Sequence, residues 1–178
     1  MLTTDRLTLR PLRPDDAPWI AREIANPDVQ CWLTSPPHPY RLQDAEDFIA
    51  LKQDDPWYLV IEVQGQPCGV VSVETGSDRP ELGYWLWVSA HGHGYMTEAA
   101  GAVVDAVFET GLQQLYSGWV DGNAASENVL TKLGFTRTGE IRQTRVNFLE
   151  ADRPIIRVTL TRDQWHARRT LENKGAAG

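Results

Sequence analysis

The sequence predicts one α/β domain built on a mixed sheet. Three observations lead there. Strand-like and helix-like segments follow one another in the order strand, helices, three strands, helix, strand, helix, two strands. No internal repeat or linker interrupts that order. The chain has 178 residues, 42% of them apolar, with seven tryptophans, which is ample material for one packed core. The domain is placed at residues 1–171, and residues 172–178 are expected to be a disordered tail.

Arg6 to Arg10 alternates basic and apolar residues and reads as the first strand, broken by Pro11 and Pro14. Asp15 or Asp16 can cap a helix carrying Trp19, Ile20 and Ile24, which Asn26-Pro27 ends. Cys31 to Tyr40 holds three prolines and reads as a loop; long loops in compact domains often bind ligands. Asp44 to Asp54 reads as a second helix with Ala45, Phe48 and Ile49 on one face. Its other face is acidic. A solvated surface is the plainer account, and attraction of a cationic amine or basic peptide the functional one. Trp57 to Val63 and Gly69 to Glu74 flank Gln64-Gly-Gln-Pro67, a hairpin signal.

Asp78-Arg-Pro80 turns the chain into a strand from Glu81 to Val88. Gly92 and Gly94 then allow a tight turn, and a helix runs from Tyr95 to a stop at Gly111. Leu115 to Val120 is the next strand. Asn123 can cap a helix with the stripe Ser126, Val129, Leu130 and Leu133. Gly134 fits a left-handed position after that helix, with Phe135 packing back. Thr136 to Asn147 and Pro154 to Leu160 close the sheet, and a short helix starts near Thr161 and Trp165.

A helix opening out of a glycine-rich turn aims unpaired N–H groups and the positive end of its dipole at one spot, which suits a phosphate. Gly92-His-Gly94 alone leaves three readings open. A nucleotide P-loop needs Gly-Lys-Ser/Thr, which Gly94-Tyr95-Met96 lacks. A dinucleotide turn needs a third glycine or alanine where Thr97 stands. The third reading is a plain strand, turn and helix without a ligand.

Composition narrows the classes. A net charge of −7 argues against a nucleic-acid partner. No apolar run reaches membrane-spanning length, and the first residues lack a signal-peptide core. Cys31 and Cys68 have no metal-like spacing, and the four histidines form no ligand set. The expectation is a cytoplasmic protein with reduced cysteines, no metal and no membrane partner.

A second motif lies downstream, Asn123-Ala-Ala-Ser126-Glu-Asn128 followed by Lys132-Leu-Gly-Phe135. With His91-Gly-His-Gly94-Tyr-Met96, and with Asp5-Arg-Leu-Thr-Leu-Arg-Pro-Leu-Arg-Pro-Asp-Asp16, Pro39-Tyr40 and Asp44-Ala-Glu-Asp-Phe-Ile49, it resembles the GNAT superfamily of N-acetyltransferases in its RimJ/RimL-like branch. The resemblance covers roughly residues 3–165. It implies the GNAT fold, a mixed, mostly antiparallel twisted sheet flanked by helices, in which the strands at Glu81–Val88 and Leu115–Val120 splay apart. It implies acetyl-CoA as co-substrate in that gap. Dimers are common in the family, so a homodimer is an open expectation.

On that resemblance the backbone amides of His93, Gly94, Tyr95, Met96 and Thr97 bind the pyrophosphate, with the Thr97 hydroxyl assisting. The backbone of Trp87 and Val88 pairs with the pantetheine arm, Asn123 hydrogen-bonds it, and Asn128 reaches the cofactor. Asn123 as a plain helix cap is the structural alternative. Ser126 matches a serine beside the cofactor sulfur, the alternative being a small residue in a helix interface. The tyrosine acid of many relatives is replaced by Leu130. His91, Met96 and Arg41 also depart from the family pattern, and Met96 must point away from the phosphates.

Transfer of an acyl group to an amine requires a deprotonated amine, because an alkylammonium with a pKa of about 10.4 is no nucleophile. It also requires donors for the oxyanion and the leaving thiolate. Glu81 is the candidate base, with burial near tryptophans expected to raise its pKa; an exposed edge carboxylate is the alternative. Glu74 and Asp78 are weaker candidates, and Glu98 reads as a first-turn carboxylate favoured by the helix dipole. Trp32, His38 and Tyr40 are candidates for an acceptor pocket, with ordinary packing as the alternative. The expected activity is acetyl-CoA-dependent N-acetyl transfer directly to a primary amine, on a protein N-terminus or a small molecule. The alternative is a CoA-binding sensor or interaction domain without turnover.

Overall fold

The computed structural model describes the backbone of residues 1–176 and the side chains of residues 1–171. Among these, the strands are β1 (Leu2–Thr3), β2 (Leu7–Pro11), β3 (Tyr58–Val63), β4 (Gln66–Glu74), β5 (Glu81–Leu86), β6 (Gln114–Val120), β7 (Thr136–Val146) and β8 (Ala151–Thr161). The helices are α1 (Ala17–Ile24), α2 (Pro27–Gln30), α3 (Leu42–Lys52), α4 (Tyr95–Glu109), α5 (Ala124–Leu133) and α6 (Arg162–Ala176). The sheet order is β1-β2-β3-β4-β5-β6-β8-β7. Only β5 and β6 run parallel. The mixed, mostly antiparallel sheet with a splayed central pair is the fold class the sequence leads to.

Strand alternation sends successive side chains to opposite faces, and this builds two cores. Val71, Val73, Leu82 and Leu115 pack with Val103, Val107 and Phe108 of α4 and Leu130 of α5. On the other face Val60 and Val70 pack with Trp19 and Ile20 of α1 and with Ala45 and Ile49 of α3. A buried ion pair ties β2 to α1. Arg10 donates to both Asp16 oxygens at 2.8 Å, and Asp16 also accepts from Trp19 Nε1 and the Arg13 N–H. Asp16 is therefore a buried network member rather than a cap through its side chain on α1.

A short strand β1 precedes the one expected to be first, α3 lies two residues earlier than expected and β8 starts at Ala151, and four further boundaries shift. Asn26-Pro27 ends α1 but also opens α2, because Asn26 Oδ1 accepts from the Asp28 N–H. The hairpin turn tightens to Gln64-Gly65, both at positive φ, so β4 starts at Gln66. β5 ends at Leu86, because Val88–Ala90 turns into a 3-10 helix. At the C-terminal end α6 spans Arg162–Ala176, longer than the short helix expected, and residues 177–178 of the expected tail lie outside the described residues.

Candidate active site

β5 and β6 are in register at Glu81 and Tyr116 alone. At the apex the Ser117 hydroxyl donates to the Leu82 carbonyl at 2.8 Å. Beyond it the strands part. The Leu82 carbonyl faces β6, whereas the Trp87 N–H faces β4 and donates to the Cys68 carbonyl at 2.9 Å. Backbone groups alternate sides along a strand, so Leu82, Tyr84 and Leu86 present theirs to the gap.

A cavity of about 700 Å³ runs through this gap. Gly94, Tyr95, Thr97, Asn123, Ser126 and Asn128 line one part of it, and Trp32, Glu81, Trp85, Arg142 and Arg157 another. The two parts belong to opposite sheet faces. Tyr84 packs against the α4 and α5 core, and Trp85 against the α1 and α3 core.

At the first part, Gly94 has φ 78°, a left-handed conformation in which glycine carries no Cβ penalty. The first intrahelical bond of α4 runs from the Glu98 N–H to the Gly94 carbonyl. The N–H groups of Tyr95, Met96 and Thr97 thus have no intrahelical partner. Met96 turns its side chain into the core, as the phosphate reading requires. Arg6 braces the turn. It donates to the His93 carbonyl at 3.0 Å and to Glu98 Oε2 at 2.7 Å, and lies over the Tyr95 ring. Glu98 is thus more than a dipole partner: it also accepts from Thr4 Oγ1 at 2.6 Å. Burial pushes the Glu98 carboxyl up, but the bonds from Thr4 and Arg6 prevail and hold it below the usual range.

At the second part, Arg157 crosses from β8 over Gly118 of β6 and grips Glu81 of β5. Its Nη1 and Nη2 lie 2.6 and 2.8 Å from Glu81 Oε1 and Oε2. Gly118 stands opposite Arg157, and a Cβ there would meet Arg157 Nη1 at 3.2 Å. The guanidinium crosses because that side chain is missing. The Arg157 side chain is 6% exposed and that of Glu81 43%, so the carboxylate faces the cavity while its partner is buried. The expectation of a Glu81 buried among tryptophans gives way to a half-exposed carboxylate held by a buried arginine.

Among the remaining expected site residues, Val88 lines the cavity and Trp87 and His93 lie outside its lining. The Trp87 N–H is turned to β4, where it donates to the Cys68 carbonyl, and its carbonyl accepts from the Ala90 N–H with one lone pair left. The Asn123 side chain does cap α5, accepting from the Ser126 N–H at 3.1 Å, so the cap alternative holds for its oxygen while its amide N–H groups are free of that bond. Of the acceptor-pocket candidates, Trp32 lines the cavity. His38 instead meets Gln30 at 3.0 Å and packs edge-on against Phe148. Tyr40 packs in the α1 and α3 core, and burial pushes its phenol up to about 12. Glu74 is engaged by Lys52 and Tyr58, which hold its carboxyl below the usual range. Leu130 is fully buried, so α5 offers no acid there.

Sequence inspection missed Tyr84, Arg142 and Arg157. Strand alternation alone puts Tyr84 on the face opposite Glu81. Nothing local marks Arg157, whose partner lies 76 residues away. Among the described residues no cluster of three or more His, Cys, Asp or Glu could hold a metal, and no helix is long and apolar enough to cross a membrane.

Comparison with known proteins agrees with this architecture. The family model described as the acetyltransferase (GNAT) domain matches residues 6–136. The uncharacterized N-acetyltransferase p20 of Bacillus licheniformis is 26% identical over 153 residues, covering 79% of this chain and 85% of that protein. Mycobacterium smegmatis RimJ, solved in complex with CoA-disulfide, shares the fold with a TM-score of 0.76 at 22% identity, over 89% of this chain and 83% of that one. The ribosomal-protein-S5-alanine acetyltransferase of Vibrio fischeri does so with a TM-score of 0.75 at 20% identity, over 92% and 97%.

Proposed function

Because the chain belongs to the acetyltransferase (GNAT) family, whose chemistry is acetyl transfer from acetyl-CoA, we propose that it acetylates a primary amine by direct transfer within a ternary complex. The acceptor is a protein N-terminus or a small-molecule amine. The Vibrio fischeri relative is named for an alanine of ribosomal protein S5, and this makes the N-terminus a natural candidate. The observation that carries the proposal is the single cavity joining the N-terminus of α4 to Glu81 through the β5/β6 gap.

The residues present fit acetyl-CoA. The free N–H groups at the start of α4 suit the pyrophosphate. The gap-facing backbone of Tyr84 and Leu86, continued by Val88, suits the amides of the pantetheine arm in strand-like fashion. Asn123 Nδ2 and Asn128 donate along the same wall. When bound, the co-substrate supplies an activated acyl thioester. Ser126, three residues beyond Asn123 and in the first turn of α5, offers its hydroxyl to the sulfur and so stabilises the leaving thiolate.

Glu81 uses one set of lone pairs on Arg157 and keeps the others toward the cavity. In this reading it accepts the ammonium proton of the acceptor, directly or through a water. Arg157 keeps the carboxylate oriented and balances its charge. Trp32 and Trp85 give the acceptor an aromatic wall, and Arg142 stands at its edge.

Calorimetric titration with acetyl-CoA, followed by thiol release with a panel of amines and N-terminal peptides, tests the proposal. Binding with release for one acceptor class is expected. No binding would overturn the assignment of the turn from Gly92 to Thr97. Binding without release from any acceptor would refute turnover on these classes.

A further inference from the structure

One contact in the gap joins two residues that the sequence keeps 42 positions apart. Tyr84 Oη lies 3.0 Å from Ser126 Oγ and 3.3 Å from the Ser126 carbonyl. Both residues line the cavity. We infer that Tyr84 is a positioning residue for Ser126: its O–H donates to Ser126 Oγ and thereby turns the serine's own proton into the gap, toward the sulfur of bound CoA. The inference rests on the reading of Ser126 given above.

A serine hydroxyl has one proton and two lone pairs, and it rotates among three staggered positions. In the first turn of a helix it readily bonds back to its own backbone, which would point the proton away from a ligand. A donor fixed at the oxygen removes that freedom. The phenol has one proton and two oxygens of Ser126 within reach, the carbonyl at 3.3 Å and Oγ at 3.0 Å; the nearer Oγ takes it, and of the two hydroxyls the phenol is the more acidic and so the better donor. Tyr84 is held for this task. Its backbone is part of β5, paired to β4 at Val71, and its ring packs against the α4 and α5 core. The Ser126 main chain is fixed by the Asn123 cap. Two rigid elements therefore set the distance between the hydroxyls. Burial pushes the Tyr84 phenol up to about 12, so it stays a donor across the working pH range and surrenders no proton. Neither residue makes or breaks a covalent bond. The effect is orientation of one O–H, whose worth grows as the sulfur gains negative charge.

Calorimetry with CoA and with desulfo-CoA tests this without knowledge of the acceptor. Wild type, Tyr84→Phe, Ser126→Ala and the double variant are compared at pH 7, where the thiol is neutral, and at pH 9.5, where a large share of it is thiolate. Wild type is expected to prefer CoA over desulfo-CoA, with a preference that grows about tenfold as the thiol ionises, the effect of one charge-assisted hydrogen bond. Tyr84→Phe and Ser126→Ala are each expected to lose that growth while desulfo-CoA affinity stays within about twofold, and the double variant to lose no more than either single one. A Tyr84→Phe enzyme that keeps the pH-dependent preference overturns the inference. So do additive effects, or an equal loss of both ligands, which would mark Tyr84 as merely structural. Wild type binding neither ligand would instead overturn the reading of the whole gap, and this inference with it.

Discussion

Replacing Gly118 with alanine tests how the splayed strands are held. The added methyl would lie 2.8 Å from the Ile156 carbonyl oxygen, 3.0 Å from Ile155 Cγ2 and 3.2 Å from Arg157 Nη1. Nonbonded carbons attract at about 3.5–4.0 Å, so each contact is repulsive. The arginine head can swing aside. The Ile156 carbonyl cannot, because β6 and β8 are paired along their length from Gln114–Thr161 to Val120–Ile155. Overpacking of this kind costs about 1–3 kcal/mol. Displacement of Arg157 also breaks its paired bonds to Glu81. Urea unfolding followed by tryptophan fluorescence measures the loss, with Gly83→Ala as the control. Gly83 is on the facing strand, and a methyl there meets only Ser72 Oγ at 3.5 Å. The control is expected to stay within about 0.5 kcal/mol of wild type, as is usual away from packed sites. Equal stability of Gly118→Ala and Gly83→Ala would refute the claim that a missing side chain at Gly118 lets Arg157 reach Glu81.

Three further outcomes are expected. Gly94→Val places a branched residue at φ 78° and should weaken acetyl-CoA binding roughly tenfold or more by calorimetry, since a left-handed backbone costs a non-glycine residue about 1–2 kcal/mol; unchanged affinity would sink the phosphate-turn assignment. Glu81→Gln should slow turnover on the order of a hundredfold with acetyl-CoA affinity within about twofold, and an unaffected rate would remove Glu81 as base. For Asp16, burial pushes the carboxyl up, but hydrogen bonds from Arg10, Trp19 and the Arg13 N–H prevail and hold it below the usual range. Its folded value is thus lower than its unfolded value of about 3.9, so its contribution is full above pH ~4 and lost as pH falls through the folded value. Asp16→Asn should cost about 3–5 kcal/mol at pH 7 by breaking the buried pair, and stability should then fall less steeply with acid; parallel acid limbs for the two proteins would disprove the linkage.

What the sequence by itself determined lies within a few residues of chain. Gly94 must be left-handed, and the amides after it start a helix. Asn123 caps α5 three residues ahead. Gly134 ends that helix at φ 89°, and the Phe135 N–H reaches back to the Leu130 carbonyl. Each of these is a bond between near neighbours, so the residue types and their spacing suffice. The unbroken apolar run Tyr58–Ile61 likewise marks a strand buried on both faces.

Only the tertiary structure decided the chemistry of the gap. The sequence placed Glu81 at the start of a strand, but its oxygens are claimed by Arg157 through the β6 to β8 pairing. The Tyr84 phenol meets Ser126 because α5 packs on the face of β5 opposite Trp85. The Trp87 N–H is turned away from the gap because the β4 ladder extends one bond past β5 to Cys68. His38 and Tyr40 turned from the cavity because their loop docks against Gln30, Phe148 and the α1 and α3 core. Such contacts depend on strand register and helix placement, quantities that arise only when segments far apart in the chain pack together.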